Sequence, residues 1–310
     1  MKSLDLFSIG AWAPFDHIYK LATYPSNGDT VTMDMPIEGL DTVYYGDCSV
    51  NIAAAAARLG LRVGLGMVVG DDFRTSGYEA HLLRLGVDTS GVEIVPGARS
   101  GHNYLYFDAS GDGFCISHRG IAADQSSWGI PEAEVASARA VVVSEAFTEY
   151  TLKAIRWARA SGALTAINGM IGTAGEKAAA FLEVADILFI ADSELRNLLM
   201  LLGFTRVEEL HTLGPRRIFA TRGAQGSRVY SEDGIHEIDA IPTERFADPT
   251  GAGDSYTAGT LAALLRGDSD SDAARVGAAV SSIVVEAWGC QTNLPDWDTI
   301  EQRLNRGYRS

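Results

Sequence analysis

The segment Asp248–Asp254 combines glycines, an alanine and a carboxylate in a spacing that suits phosphoryl transfer. Gly251, Ala252 and Gly253 would leave backbone N–H groups uncovered at the start of the small-residue helix that follows. Uncovered amides and the positive end of a helix dipole attract the negative charge of a phosphate. A carboxylate at Asp254, among the same amides, could take a proton from an alcohol while the donors hold the transferring group. The segment therefore predicts an anion hole and a general base in one loop.

A second interpretation of this segment stays open on its spacing alone. An aspartate at a helix start is commonly a cap, and short glycine motifs also occur by chance. The whole stretch, with its Asp-Pro-Thr lead-in, Gly-Ala-Gly-Asp and small-residue helix, resembles the signature near the C-terminus of the ribokinase-like carbohydrate kinases, the pfkB-type sugar kinases. The resemblance implies that the amides of 251–253 form the anion hole and that Asp254 activates the acceptor hydroxyl.

Four residues in the N-terminal part match the positions that bind the acceptor in this family. Asp16 follows the first apolar run, and Gly46, Asp47 and Asn51 precede or begin an alanine-rich helix. A carboxylate can accept hydrogen bonds from two adjacent hydroxyls, which suits a polyol. Taken locally, Asp16 could also be a solvated loop residue and Asn51 a helix cap. Asp47 stands where the family normally has a second glycine, so we expect it to alter the pocket, by binding an additional hydroxyl or a cationic group.

A strand followed by a turn with two glycines precedes the catalytic segment. Thr221, Gly223 and Gly226 match the family's Thr-x-Gly-x-x-Gly element beside the nucleotide, where backbone approaches phosphate or adenosine closely. On its own, this stretch would be better interpreted as a hairpin turn with no ligand. The two elements lie within about 30 residues of each other, a pairing that is much harder to obtain by accident. We therefore expect ATP to bind across both loops.

The resemblance also implies sites for two metal ions. Glu194 matches the glutamate that helps to arrange Mg²⁺ through water, although Ala191 replaces the family's asparagine. Because Mg²⁺ keeps most of its waters, the loss of one outer group need not abolish binding. Alone, Glu194 would be an ordinary residue in the first turn of a helix. Asp248 and Asn293 lie in the two segments that bind a monovalent cation in many relatives, which makes K⁺ a candidate cofactor beside ATP and Mg²⁺.

Short apolar runs that alternate with helical patterns indicate how these residues are positioned. Fully apolar strands in a repeated β–α order are typical of a parallel sheet buried between helices. The predicted strands are Ala140–Ser144, Leu164–Ile167, Ile187–Ile190 and Ile218–Ala220, and the predicted helices include Thr151–Ala160 and Ser193–Leu202. Residues 30–45 and 101–119 break this rhythm with alternating or aromatic-rich strand character. Together with the resemblance, this implies one ribokinase-like α/β domain, residues 1–310, with a three-layer αβα core, a mostly parallel, Rossmann-like sheet and a small β-sheet lid from those two stretches.

Charge, lysine usage and cysteine usage exclude several classes of function. The formal net charge of −15 argues against a nucleic-acid partner, because a phosphate backbone requires basic patches. The lysines are Lys2, Lys20, Lys153 and Lys177, and none lies in a G-x-x-x-x-G-K context, which excludes a Walker-type P-loop. The scattered cysteines Cys48, Cys115 and Cys290 favour reduced thiols in a cytoplasm. The sequence contains no uninterrupted apolar run of about 20 residues, so it predicts no membrane span.

We predict from these patterns an ATP-dependent kinase that phosphorylates a hydroxyl of a small carbohydrate under a lid that excludes water. A nucleoside kinase of the same fold is the alternative. A non-catalytic regulatory homologue is a third hypothesis, suggested by the departures at Asp47 and Ala191, and the intact Asp254 weighs against it. Lids of this kind expose apolar faces and edges that need covering, so we also expect a homodimer formed through the lid.

Overall fold

The computed structural model describes residues 2–10 and 12–307 and arranges them as two sheets with surrounding helices. Its strands are β1 (Leu4–Ile9), β2 (Phe15–Lys20), β3 (Tyr44–Tyr45), β4 (Val63–Gly70), β5 (Val87–Val95), β6 (His102–Phe107), β7 (Gly113–His118), β8 (Ala138–Ser144), β9 (Leu164–Asn168), β10 (Ile187–Ala191), β11 (Arg217–Thr221), β12 (Ser227–Ser231) and β13 (Gly234–Ile238). Its helices are α1 (Cys48–Arg58), α2 (Asp72–Thr75), α3 (Tyr78–Leu85), α4 (Glu132–Ser137), α5 (Glu149–Ala160), α6 (Ala178–Leu182), α7 (Asp192–Leu202), α8 (Ala252–Arg266), α9 (Asp270–Val284) and α10 (Trp297–Gly307).

The larger sheet has the strand order β13-β12-β11-β10-β9-β8-β1-β4-β5. The strands from β11 to β5 run parallel, and β12 and β13 extend one edge in antiparallel pairing. Strands β8 to β11 and helices α5 and α7 confirm the predicted β–α alternation. Because parallel strands end at the same edge of a sheet, the loops after β1, β8, β9, β10 and β11 lie along one edge, where α/β proteins bind their ligands.

Helices cover both faces of this sheet, which confirms the predicted three layers. Along β8, Val142 packs into the core cluster shared with α1 and α8, whereas Val143 packs into the cluster shared with α5, α6 and α7. Small residues bring α8 and α9 into close contact. A Cβ on Gly259 of α8 would lie 2.8 Å from Cγ2 of Val280, and one on Gly277 of α9 would lie 2.3 Å from Oγ1 of Thr260. Helix α8 is therefore packed tightly both on the sheet and on α9.

The smaller sheet, which we call the lid, has the strand order β3-β2-β6-β7. Strands β2 and β6 pair in parallel, and β3 and β7 pair antiparallel with them. The register aligns Asp16 with Asn103, and Asn103 with Ser117, so these three polar residues cross the lid in one row. The predicted stretch 101–119 contains the hairpin β6–β7.

The predicted lid stretch 30–45 differs from the structure. Only Tyr44–Tyr45 is strand, with an isolated bridge at Met33, and the additional lid strand is Phe15–Lys20. Pro36 has no N–H to donate to a neighbouring strand, which explains why this stretch does not continue as a strand. Among the helices of the described ranges, none has both the length and the apolar character that crossing a bilayer requires.

Candidate active site

Asp254 lies in the first turn of α8, at the edge where the parallel strands end. It is 6% exposed, and its two carboxylate oxygens accept hydrogen bonds from the side-chain amides of Asn51 at 2.9 Å and Asn168 at 3.0 Å. Burial raises the pKa of Asp254, and hydrogen bonds from these amides partly oppose that shift. A buried carboxylate with a raised pKa, held on both oxygens, is suited to accept a proton near neutral pH.

The two asparagines are themselves oriented by further hydrogen bonds. The Gln291 amide donates to the side-chain oxygen of Asn51 at 2.9 Å, and the Thr257 hydroxyl donates to that of Asn168 at 2.6 Å. An amide that accepts through its oxygen must present its NH₂ group on the other side. Both NH₂ groups are therefore directed at Asp254. Asn51, expected to bind the acceptor, donates its side-chain amide to Asp254 in this structure.

The residues of the predicted anion hole surround the start of α8. Gly251 precedes the helix with φ 77°, and a Cβ there would lie 2.7 Å from the Cβ of Cys290, so only glycine fits both the turn and the contact. The N–H of Ala252 donates to the carbonyl of Pro249 at 3.2 Å. A Cβ on Gly253 would meet no other atom within 4 Å, so space is open beside its backbone.

A cleft of about 900 Å³ opens from Ala252 and Gly253 toward the hairpin β11–β12. The three residues predicted to contact the nucleotide, Thr221, Gly223 and Gly226, all line it. A Cβ on Gly226 would lie 2.1 Å from a backbone carbonyl of β13, which explains this glycine by packing. The cleft has the volume of a small-molecule site. The structure thus brings the two predicted phosphate-binding loops to one cavity.

Asp16 and Gly46 meet on the lid side of the site. Asp16 is 3% exposed, and its carboxylate accepts a hydrogen bond from the Asn103 amide at 2.9 Å. Burial raises the pKa of Asp16 to about 7, with smaller contributions from neighbouring carboxylates. A Cβ on Gly46 would lie 2.0 Å from Oδ2 of Asp16, so a larger residue would displace the carboxylate.

Asp47 is committed to the protein's own backbone. Its carboxylate accepts the N–H of Trp12 at 2.8 Å and the N–H of Ser49 at 2.9 Å, and the residue is 3% exposed. It caps α1 with φ 75°, a conformation that glycine adopts more easily. This placement differs from the expected contact with an added hydroxyl or a cation, because backbone donors already occupy the carboxylate.

Sequence reasoning missed Glu145 and Asn168, which follow or end β8 and β9. Glu145 has φ 51°, and its buried Oε2 has no hydrogen-bond partner among the residues that the structure describes. Burial raises the pKa of Glu145 well above its usual range, and the nearby Asp47 and Asp254 raise it further. A non-glycine residue in this backbone region often marks a functional site. A polar residue at the end of an apolar strand was the available signal for both.

Glu194 lies in the first turn of α7, at the same edge of the sheet. Its Oε2 accepts the N–H groups of Ala191 at 3.2 Å and Met170 at 3.3 Å. Within residues 2–10 and 12–307, no group of three or more His, Cys, Asp and Glu side chains is placed to hold a metal ion directly. A single half-buried carboxylate fits a Mg²⁺ ion that keeps its own waters and is contacted through them.

Asp248 and Asn293 brace the loops around the start of α8. Asp248, 1% exposed, accepts the N–H of Thr250 at 2.9 Å and the N–H of Gly289 at 2.8 Å. The Asn293 amide donates to the carbonyl of Ile283 at 2.7 Å, near the end of α9. Both side chains have internal partners, so a monovalent cation between these loops would depend on backbone carbonyls.

Comparison with known proteins covers nearly the whole chain. The model of the pfkB family carbohydrate kinases matches residues 40–297. A nucleoside kinase of Methanothermobacter thermautotrophicus is 32% identical over 295 residues, covering 94% of this chain and 93% of that protein. A nucleoside kinase of Methanocaldococcus jannaschii is 28% identical over 293 residues, 94% of each chain. The crystal structure of a nucleoside kinase from M. jannaschii, described as an archaeal member of the ribokinase family, has a TM-score of 0.86 at 27% identity, covering 98% of this chain and 99% of that one.

Proposed function

The chain belongs to the pfkB family of carbohydrate kinases and transfers a phosphoryl group to an alcohol, and we propose that the alcohol is a hydroxyl of a ribonucleoside. The general prediction of a carbohydrate kinase thus stands, and the choice of acceptor moves to the nucleoside alternative. Two nucleoside kinases at 28% and 32% identity, each matched over 94% of this chain, support that choice. The family implies ATP as the phosphoryl donor.

The observation that carries the proposed mechanism is Asp254, buried between two oriented amides and next in the chain to Ala252 and Gly253, which line the cleft. We propose that Asp254 takes the proton of the acceptor hydroxyl as the acceptor oxygen attacks the γ-phosphorus of ATP, which releases ADP. The start of α8 would stabilise the negative charge on the phosphoryl oxygens through its dipole and through the backbone at Gly251 and Gly253, since the N–H of Ala252 already donates to Pro249. Thr221, Gly223 and Gly226 line the cleft in which the rest of the nucleotide would lie.

Asp16 is the proposed acceptor-binding residue. Its carboxylate, held by Asn103, can accept hydrogen bonds from neighbouring hydroxyls of a ribose. Gly46 leaves the space that Asp16 occupies. Glu145 adds a second carboxyl group, whose buried Oε2 has no hydrogen-bond partner among the described residues. We propose that Glu145 also contacts the acceptor. In this proposal Asn51 acts by orienting Asp254, and Asp47 acts by capping α1. Neither residue contacts the acceptor directly.

Two ions complete the proposal. Mg²⁺ would neutralise charge on the ATP phosphates, with Glu194 contacting it through water. K⁺ would lie between the loops braced by Asp248 and Asn293. Turnover measured in K⁺, Na⁺ and a large organic cation tests the second ion, since equal rates in all three would remove it from the scheme.

The lid is the proposed dimer surface. Its outward residues Tyr104, Phe114 and Ile116 are 37%, 47% and 58% exposed. Exposed apolar residues grouped on one face of a sheet, next to its edge strand β7, favour covering by another surface. A second copy of the chain, through its own lid, is the partner that we propose. The scattered spacing of Cys48, Cys115 and Cys290, with no C-x-x-C pair, supports our further proposal of a reducing, cytoplasmic setting.

An ATP-consumption assay across adenosine, cytidine, inosine, ribose and other free sugars tests the acceptor. We expect kcat/KM for at least one nucleoside to exceed that for every free sugar. A free sugar as the best substrate would restore the sugar-kinase prediction. Nucleotide binding without turnover of any compound would favour the regulatory hypothesis.

A further inference from the structure

Part of the wall of the nucleotide cleft is a segment without regular secondary structure. Residues 239–251 belong to no helix or strand, and several residues of 240–246, which we call the cleft loop, line the cleft. Ser281, Ser282 and Val285, near the end of α9, line it too. Because a loop has no ladder of backbone hydrogen bonds, other contacts must fix its position.

A largely buried ion pair holds the cleft loop. Arg303 of α10 donates from both Nη atoms to the two carboxylate oxygens of Glu286, at 2.9 Å and 3.0 Å, and the side chains are 11% and 12% exposed. The Glu286 carboxylate also accepts the N–H of Glu244 at 2.6 Å and the hydroxyl of Thr243 at 3.1 Å. A bidentate pair of low exposure has a specific geometry and is little screened by water. Glu286 therefore ties the cleft loop to α10.

The same guanidinium reaches both parts of the cleft wall. Nη1 of Arg303 donates to the carbonyl of Pro242 at 3.3 Å and to the hydroxyl of Ser282 at 3.2 Å. Pro242 belongs to the cleft loop and Ser282 to α9, and both line the cleft. In addition, Nε of Arg245 donates to the backbone carbonyl of Glu286 at 2.8 Å. One side chain of α10 thus joins the cleft loop to the end of α9 from outside the cleft lining.

We propose that Arg303 is a positioning residue for the phosphoryl donor, and that with Glu286 it holds the cleft loop against α9 in the geometry that receives the nucleotide. The inference rests on the proposed binding of ATP in this cleft. Because that proposal places the transferring phosphate at the start of α8, the rest of the nucleotide lies among the other lining residues, which include the cleft loop and α9. A loop that is already ordered spares the nucleotide the cost of ordering it, so binding is tighter.

Calorimetric titration with Mg-ADP compares the wild type with three variants. Arg303→Met keeps the apolar stem of the side chain and removes the guanidinium. Glu286→Gln keeps an oxygen that can accept the N–H of Glu244 and removes the negative charge. Arg306→Met is the matched control, because Arg306 lies on the same helix and pairs with Glu244 of the same loop at 2.9 Å, with side chains 69% and 64% exposed. An ion pair as exposed as this one contributes little.

We expect Arg303→Met to raise the Kd for Mg-ADP by about tenfold, within the range for changes that act on a site through neighbouring groups. Glu286→Gln, the milder change, should raise it by about fivefold and decides the question if Arg303→Met does not fold. Arg306→Met should stay within about twofold of wild type. Steady-state kinetics should show the same rise in the KM for ATP, while kcat at saturating ATP and the KM for the acceptor change by less than about twofold.

An unchanged Kd in both Arg303→Met and Glu286→Gln would overturn the role of Arg303 and leave the placement of the nucleotide intact. A lower binding stoichiometry at unchanged Kd would also overturn it, because that pattern means fewer folded molecules, each with a normal cleft. A fall in kcat with an unchanged KM for ATP would contradict it by moving the effect to the chemical step. Failure of the wild type to bind Mg-ADP would overturn the placement of the nucleotide as well. The titration contains no acceptor, so its outcome is independent of whether the acceptor is a nucleoside or a sugar.

Discussion

Among single residues, Asp254 carries the largest expected effect on the reaction. Asp254→Asn keeps the shape of the side chain and removes the proton acceptor, so kcat should fall by about 10²–10⁴-fold with little change in the KM for ATP. Steady-state kinetics with the best acceptor measures this. Asp268→Asn, an exposed change beyond the far end of α8, is the control. A kcat for Asp254→Asn within a few-fold of wild type would remove Asp254 from the role of base.

Asp16 connects acceptor binding to the pH dependence of stability. Its pKa is raised to about 7 by burial, so between its ordinary pKa of 3.8 and about 7 the folded protein binds a proton that the unfolded chain does not. The free energy of unfolding therefore falls as pH rises through this window. Asp16→Asn should raise the Tm at pH 8, flatten that dependence and raise the KM for the acceptor. The exposed Asp233→Asn should change neither, as thermal melts from pH 5 to pH 8 would reveal. A lower Tm for Asp16→Asn at pH 8 would contradict the account.

At the scale of elements, Asp47 tests how α1 begins. Asp47→Ala loses the helix cap and leaves the N–H of Trp12 unpaired, at an expected cost of about 1–3 kcal/mol in the free energy of unfolding. Asp47→Gly loses the same contacts, but glycine relieves the φ of 75° and should cost less. Urea unfolding of the two variants compares them directly. If glycine were as destabilising as alanine, backbone conformation would not explain this position.

The elements that could be predicted from the sequence are those that repeat one pattern, a short apolar run followed by a helical segment. Strands β8 to β11 are almost entirely apolar and were predicted, and the ribokinase-like fold is confirmed. Strand β2, Phe15–Lys20, mixes polar and aromatic residues and was missed, whereas only Tyr44–Tyr45 and a bridge at Met33 belong to strands within the predicted stretch 30–45, which Pro36 interrupts. In the candidate site, motifs with fixed spacing predict Asp254 and the backbone amides of 251–253, and their roles stay predictions. Asn168 has no such pattern, because only the sheet order brings the end of β9 to α8.

At the scale of the whole molecule, the proposed dimer through the lid can be tested separately. Ile116 pairs across the lid with Tyr104, and both are exposed. Ile116→Glu places a charge in the proposed interface, so sedimentation velocity should show a shift from dimer toward monomer. Met200→Glu, at a residue of α7 that is 72% exposed outside the lid, should leave the dimer intact. A wild-type protein that sediments as a monomer at tens of micromolar would contradict a stable lid dimer.

The contact between α8 and α9 has a consequence for which parts of the enzyme can move. Gly259 leaves room for the side chain of Val280, and Gly277 leaves room for that of Thr260, so the two helices interlock closely and α8 has little room to shift relative to α9. This contact holds helix α8, which carries Asp254, in place against the rest of the large α/β core. We therefore expect alignment of the reacting atoms to depend on the lid, which would bring the acceptor to Asp254, the proposed base.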